Sequence, residues 1–152
     1  MKHARYAVMI PVLLLLSSVA AFSEEKKPDT HDQAAMNEKR VVATIEADGV
    51  QRVEIKGGEY YFDPNYIVVK VNKPVELQVK KAPDSTFYIP HNIIATAPEA
   101  GIDFRLDLKK ELQSIKFTPT RVGKYPIYCD KKPPFGKDHR DRGMEGMIEV
   151  VE

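Results

Sequence analysis

The sequence predicts an all-β protein, a sandwich of about seven short strands, and three observations lead to this prediction. After the first forty residues, the remaining body of roughly 110 residues is long enough to bury one core. The eleven prolines and eight glycines imply many turns, which favour strands over helices. Apolar residues recur at every second position between turn signals, which is the period of a half-buried strand.

The period of two is clearest between residues 66 and 80, which predict two strands joined by a short turn at residues 72–74. The positions that we expect to face inward are Ile67, Val69, Val71, Val75, Leu77 and Val79. Upstream, β-prone residues on both sides of Asp48-Gly49 indicate further strands over 41–45 and 50–55.

Downstream, residues 115–117 and 125–129 resume the strand spacing. A last strand over residues 147–151 should turn Ile148 and Val150 toward the core. The segment from 98 to 111 is irregular, and we expect one helical turn or a loose excursion there.

The first 23 residues predict a secretory signal peptide. Lys2 and Arg5 precede an apolar run over residues 7–21, and a charged stretch follows it. A run of about 15 apolar residues is short for a transmembrane anchor, which needs ~20. We therefore expect cleavage near residues 21–23, a periplasmic or otherwise exported protein, and no stable membrane insertion after cleavage. A retained anchor is the alternative.

Residues 24–40 predict a flexible tail, and residues 41–152 predict one domain. The tail is rich in charged and amide side chains and has almost nothing apolar to bury apart from Met36. Removal of residues 1–23 takes away two basic residues and no acidic one, which changes the formal net charge from +1 to −1. A net charge so close to zero argues against nucleic acid as a partner.

The single cysteine of the chain, Cys129, cannot form an internal disulfide. In an exported protein it is either buried and inert, paired between chains, or bound to a metal. His139 and Met144 follow it on one loop between two predicted strands, and His91 lies far upstream. A thiolate, two imidazoles and a weak thioether are the ligand types of a blue-copper electron-transfer site.

Four segments resemble the plastocyanin-like cupredoxins. Residues 123–129, GKYPIYC, resemble the G-x-Y-x-x-Y-C run of that family, and residues 139–146, HRDRGMEG, resemble its H-x-x-x-G-M-x-G ending. Residues 62–69, FDPNYIVV, resemble its F-x-P-x-x-I-x-V opening, and His91-Asn92 resembles the upstream ligand with its following Asn. The segments occur in the family's order. The resemblance implies a Greek-key β-sandwich with a mononuclear type 1 copper site.

Carried over to this chain, the resemblance implies one copper ion, cycling between Cu(I) and Cu(II), with a thiolate, two imidazoles and a long axial thioether. These ligands would be Cys129, His91, His139 and Met144. Asn92 would tie the two ligand-bearing loops together by hydrogen bonds, and Tyr128 would lie beside the thiolate on an electron path. Met147 is the alternative thioether, and a backbone carbonyl is the alternative axial donor.

This chain departs from the family at two points. Nine residues, 130–138, separate Cys129 from His139, where plastocyanin-like proteins have very few, although copper nitrite reductases carry a similarly long loop. We expect Pro133-Pro134 to stiffen this loop. Asp130 follows the cysteine, where a small hydroxyl residue is common, so the hydrogen bonding around the sulfur should differ.

The loop that carries His139 is also basic. Its cations are Lys131, Lys132, Lys137, Arg140 and Arg142, against the acids Asp130, Asp138 and Asp141. This charge indicates either a solvated loop or a basic rim that steers an acidic redox partner. Phe135 either contacts a partner at the loop tip or fills the space beneath it.

The predicted function is single-electron transfer between exported redox proteins, such as a c-type cytochrome and an oxidase or reductase. A copper chaperone or storage module with the same ligands is the alternative, although the chain has no Met-rich or His-rich repeats. A tetrahedral zinc site could use the same Cys and His residues. We do not expect an enzyme, because a dinuclear oxidase site needs two cysteines. After signal cleavage only His31 would remain as a further ligand of a catalytic copper.

Overall fold

Two sheets of short strands pack face to face in this protein. The computed structural model describes residues 38–86 and 88–152. In this part of the chain the strands are β1 (Arg40–Val42), β2 (Thr44–Ile45), β3 (Gln51–Gly57), β4 (Phe62–Asp63), β5 (Tyr66–Lys70), β6 (Val75–Lys81), β7 (Asn92–Ala97), β8 (Ile102–Asp107), β9 (Gln113–Phe117), β10 (Gly123–Tyr128) and β11 (Glu145–Val151). A 3₁₀ turn over Pro98–Ala100 separates β7 from β8.

The two sheets mix parallel and antiparallel neighbours. One has six strands in the order β1-β5-β11-β10-β7-β8, and the other has five, ordered β2-β3-β6-β9 with β4 paired to β3. β5 lies parallel to both β1 and β11, and β3 lies parallel to β6. Because parallel neighbours cannot be joined by a hairpin, the chain crosses between the sheets. The predicted Greek-key sandwich is confirmed.

Alternating side chains place the core between the sheets. β6 follows the predicted parity, because its inward positions are at most 1% exposed while the residues between them are partly exposed. Those inward positions are Val75, Leu77 and Val79. Ile148 and Val150 in β11 are equally buried, as predicted. β5 is buried on both faces, and at Tyr66 the guanidinium of Arg40 covers the ring, 4.6 Å from its centroid.

The described residues hold more strands than the seven that the sequence predicted. The irregular segment over 98–111 contains the 3₁₀ turn and then all of β8, which pairs with β7 along its whole length. Ile102, Phe104 and Leu106 do alternate in β8, but Pro98 and Gly101 interrupt the pattern just before it. The prediction of only a helical turn or an excursion was therefore incomplete.

The signal peptide predicted over residues 1–23 and most of the tail predicted over 24–40 lie outside the described residues. The end of the tail differs from the prediction, because Arg40 begins β1. Just before it, the Lys39 N–H donates to Asn65 Oδ1 at 2.7 Å, and the Lys39 ammonium pairs with Asp63 at 2.6 Å. Across the described ranges, no helix has the length and apolar character needed to cross a bilayer.

Candidate metal centre

Strand ends place three of the predicted ligands at one end of the six-stranded sheet. His91 immediately precedes β7, Cys129 immediately follows β10, and Met144 immediately precedes β11. β10 pairs antiparallel with both β7 and β11, so the end of β10 lies beside the beginnings of its two neighbours. The sheet register therefore brings together residues that are far apart in the sequence.

The side chains of His91, Cys129 and His139 converge. The Nδ1 atoms of His91 and His139 lie 3.1 Å apart, and His139 Nδ1 lies 3.5 Å from Cys129 Sγ. One candidate ligand atom from each residue falls within 4.8 Å of the other two. With zinc-like bonds of about 2.0–2.1 Å to nitrogen and about 2.3 Å to sulfur, tetrahedral ligands lie about 3.3 Å (N to N) and about 3.5 Å (N to S) apart. The two separations that involve His139 fit one metal ion, and His91 and Cys129 lie within 4.8 Å of each other.

Burial makes this cluster electrically neutral when no metal is bound. The exposed fractions are 1% for His91, 3% for His139 and 0% for Cys129. Burial, and then the charge that His139 would carry, lowers the pKa of His91 to about 4, and burial lowers the pKa of His139. Burial raises the pKa of the Cys129 thiol. A metal ion would therefore meet two neutral imidazoles and displace a thiol proton.

The chemistry of the donors fits a soft or borderline cation. Two neutral imidazoles that face each other through Nδ1 can share only one proton, and a thiol sulfur is a weak acceptor. The cluster therefore holds more converging lone pairs than its own hydrogen bonds can use. Copper and zinc both accept imidazole and thiolate ligands in such a set.

Met144 is fully buried beside Cys129 in the core. Its N–H donates to the His139 carbonyl at 2.9 Å, and its carbonyl accepts from the Cys129 N–H at 3.0 Å. Met147, the alternative thioether, is only partly buried in β11 and lies opposite Pro126. These contacts favour Met144 for the thioether position, and its role as a ligand stays a prediction.

Asn92 connects the two ligand-bearing segments, at the position that the resemblance implied. Its backbone N–H donates to Cys129 Sγ at 3.4 Å and its Nδ2 donates to Asp130 Oδ1 at 2.7 Å. The Asp130 N–H donates back to Asn92 Oδ1 at 3.1 Å. The other Asp130 oxygen accepts from Arg105 Nη2 at 2.6 Å, and this guanidinium lowers the pKa of Asp130. The carboxylate of Asp130 thus makes the contacts at the position after the cysteine, where a small hydroxyl residue is common.

Tyr128 is the last residue of β10 and directly precedes Cys129. It is partly buried, and the guanidinium carbon of Arg140 lies 4.6 Å from its ring centroid. This environment is consistent with packing. Its part in an electron path stays a prediction.

Two residues at the site were missed by the sequence analysis. The ring of Tyr60 lies edge-on to both imidazoles, and Arg142, counted only as a loop charge, lies over that ring. No local pattern signals Tyr60, because it reaches the histidines only through the position of the end of β3. Arg142 could have been suspected from its place two residues before Met144.

The basic rim is narrower than the sequence suggested. Lys131 pairs with Asp107 at 2.7 Å, and Arg140 pairs with Glu145 at 3.1 Å. Lys132 and Lys137 are exposed, and no described carboxylate lies within 4.0 Å of either ammonium.

Phe135, at the tip of the same loop, is 91% exposed. It therefore does not fill the space beneath the loop, and its contact at the loop tip stays a prediction.

Comparison with known structures places the fold. The metal-binding domain of the Cu(I)-exporting P-type ATPase CopA of Streptococcus pneumoniae D39 matches with 24% identity and a TM-score of 0.53, over 75% of this chain and 97% of that domain. A dithionite-reduced auracyanin of Roseiflexus castenholzii matches with 21% identity and a TM-score of 0.54, over 72% and 99%. Auracyanin A of Chloroflexus aurantiacus, a "blue" copper protein, matches with 20% identity and a TM-score of 0.50, over 68% and 100%.

The sequence itself matches no protein-family model and no curated protein. At these identities the structural likeness establishes the architecture, a sandwich of two mixed β-sheets. The chain has the cupredoxin fold.

Proposed function

We propose that this chain binds one copper ion through His91, Cys129 and His139, with Met144 as the axial ligand, and transfers single electrons. The observation that carries the proposal is the convergence of two imidazole nitrogens and one cysteine sulfur in a buried cluster of a cupredoxin fold. When bound, copper would supply the one-electron couple, and the chain would supply the ligands and their surroundings.

The surroundings of the cluster favour electron transfer over metal delivery. Cys129 and His91 adjoin strand ends. The Cys129 N–H donates to the Met144 carbonyl and the Met144 N–H donates to the His139 carbonyl, and these two bonds brace the segment that carries His139. Ligands held in this way change little when the metal changes oxidation state. Metal delivery calls for ligands that an acceptor can reach, and these are at most 3% exposed.

A copper chaperone or storage module is the second candidate function. The observation in its favour is the likeness to the metal-binding domain of a Cu(I)-exporting ATPase. It would use the same ligands, so the two candidates differ in what leaves the site, an electron or the metal itself.

We propose no catalytic activity for the chain by itself. Its one cysteine is too few for a dinuclear oxidase centre. The candidate cluster brings together two of the four histidines, and the other two, His3 and His31, lie outside the described residues. Substrate turnover by the purified protein would contradict this part of the proposal.

The partners that we propose are exported redox proteins, such as a c-type cytochrome, an oxidase or a reductase. The predicted signal peptide supports export. The exposed Phe135 lies between Lys132 and Lys137 in the sequence of the loop. An aromatic contact flanked by cations suits a partner with an acidic surface around an apolar centre.

Visible absorption, electron paramagnetic resonance and voltammetry of the copper-loaded protein test the proposal. We expect an intense thiolate-to-copper band and a reversible one-electron wave, and we expect Cys129→Ser to lose both while it stays folded. Rapid copper transfer to an acceptor with slow electron transfer would favour the second candidate. Failure to bind copper would contradict both candidate functions. The presence of zinc in protein purified from its native compartment would also contradict both.

The two thioether candidates are separated by a matched pair of variants. Met144→Leu should shift the absorption band and the potential, because it removes the axial sulfur while it fills the core. Met147→Leu should leave both unchanged. The reverse result would transfer the axial role to Met147.

A further inference from the structure

Tyr60 contacts both candidate histidine ligands from an uncommon backbone conformation. Its φ is +67°, in the left-handed region that residues other than glycine seldom adopt. Its ring is partly buried and meets the imidazoles edge-on, with its centroid 5.1 Å from that of His139 and 6.3 Å from that of His91. One side chain from the loop after β3 thus reaches both imidazoles.

Arg142 fixes this ring and the long loop at the same time. Its guanidinium carbon lies 4.7 Å from the Tyr60 centroid, and its Nη1 donates to the Tyr60 hydroxyl at 2.9 Å. Its Nε donates to the Lys137 carbonyl at 3.2 Å. The attraction between a cation and an aromatic face adds to the hydrogen bond. Arg142 therefore connects the loop over residues 130–138 to Tyr60, which follows β3 of the five-stranded sheet.

The imidazoles that Tyr60 contacts are almost completely buried. His139 follows a nine-residue loop without regular structure, yet it is only 3% exposed, and His91 is 1% exposed. An uncommon backbone conformation that the surrounding contacts maintain beside a binding site is a recurrent mark of function. Here the conformation directs the Tyr60 ring toward the imidazoles.

We propose that Tyr60 and Arg142 are positioning residues that hold the two imidazoles in place and close the metal centre to water and small reagents. The metal centre meant here is the copper site of the proposed function, on which this inference rests. Neither residue would touch the metal. Their effect is on access, because a chelator must displace the ring before it reaches the ligands, whereas an electron does not require the ring to move.

Alkylation of Cys129 by iodoacetamide in the metal-free protein tests the closure without copper. Tyr60→Gly removes the ring and also suits the left-handed backbone, so it separates loss of the ring from backbone strain. We expect alkylation about tenfold faster or more, because the ring no longer has to open for the reagent. Arg142→Gln should give a smaller increase, and Tyr60→Phe, which keeps the ring, should react nearly like the wild type.

Tyr88→Gly is the matched control, because it removes an 86% exposed ring from a different loop. It should react at the wild-type rate. Urea unfolding of each variant under the same conditions shows whether faster alkylation comes from local opening or from a loss of global stability. Alkylation that is equally fast in Tyr60→Gly and Tyr88→Gly would overturn the inference.

Removal of Cu(I) by bathocuproine disulfonate gives the second readout. We expect Tyr60→Gly and Arg142→Gln to lose copper faster than the wild type while their Cu(II) forms keep the thiolate band. If the wild type forms no such copper site, the proposed function fails and the alkylation rates still decide the closure. If copper binds and the chelator acts equally fast on all variants, the closure is wrong and the proposed function stands.

Discussion

Asp130 places a carboxylate one residue after Cys129, and Arg105 balances its charge. The guanidinium donates to Asp130 Oδ2 at 2.6 Å, while the other carboxylate oxygen accepts from Asn92, whose backbone N–H donates to the sulfur. A negative charge near a copper ion favours the more positive oxidation state. The pair is therefore expected to influence the potential although neither residue is a predicted ligand.

Arg105→Gln should lower the reduction potential of the copper-loaded protein, because it leaves the Asp130 charge unbalanced. Asp130→Asn should raise the potential, and the double variant should lie between the two. The shift should shrink as salt is added, because both side chains are partly solvent-exposed. A spectroelectrochemical titration measures all three.

Lys116→Gln supplies the control for net charge, because it makes the same charge change in β9, on the other sheet. Its shift should be smaller than that of Arg105→Gln. Equal shifts in the two variants would show that only net charge matters.

At the scale of single elements, β11 passes so close at Gly146 to Asn65, the residue before β5, that no side chain fits. The Met147 N–H donates to the Asn65 carbonyl at 2.8 Å, and a Cβ at position 146 would collide with that carbonyl oxygen. Gly146 is the last residue of the H-x-x-x-G-M-x-G match. Strand packing explains its place in that pattern without reference to copper.

Gly146→Ala should lower the free energy of unfolding of the metal-free protein by about 1–3 kcal/mol, because the added methyl forces β5 and β11 apart. Urea unfolding measures this change. Glu111→Ala, in an exposed loop, should stay within about ±0.5 kcal/mol of the wild type. Wild-type stability in Gly146→Ala would mean that the two strands are further apart than described.

Strands differ in how well they could be predicted. β6 was predictable, because Val75, Leu77 and Val79 alternate with polar residues without interruption. β8 was missed although it alternates as well, since Pro98 and Gly101 precede it and a local pattern does not show that β7 supplies its pairing partner. The long-range pairing, rather than local propensity, determines that this segment is a strand.

At the scale of the whole molecule, the sandwich separates the candidate metal centre from a charged cluster at its other end. β3 runs from Gln51, beside that cluster, to Gly57, near Met144. In the cluster, the Arg52 guanidinium pairs with three carboxylates at 2.7 to 3.0 Å, those of Glu46, Asp48 and Glu76. Acid should therefore weaken this end as its carboxylates take up protons, separately from the protonation of the buried imidazoles at the metal centre.

The stabilising effect of Asp48 should disappear between about pH 4 and pH 2. Hydrogen bonds from Arg52, and then from the Val50 N–H, lower the pKa of Asp48 from 3.8 to about 2. Because the folded state has the lower pKa, the ionised carboxylate favours folding above 3.8, and that contribution is lost as the pH falls toward 2.

Urea unfolding of the metal-free wild type and of Asp48→Asn over a pH series measures this effect. The difference in unfolding free energy should be constant above about pH 5 and should shrink toward pH 2. Copper affinity at neutral pH should be the same in both proteins. A difference that does not change with pH would contradict the shifted pKa.

The sequence by itself determined the class of fold and the candidate ligands. Alternation of apolar residues is a local property that fixes which face of a strand is buried, and the order of the four motifs points to His91, Cys129, His139 and Met144. Only the tertiary structure decided that the first three converge, that Arg105 pairs with Asp130, and that the Tyr60 ring lies edge-on to both imidazoles. These contacts join residues that are distant in the chain, so they depend on strand register and on the packing of two sheets, which no local pattern encodes.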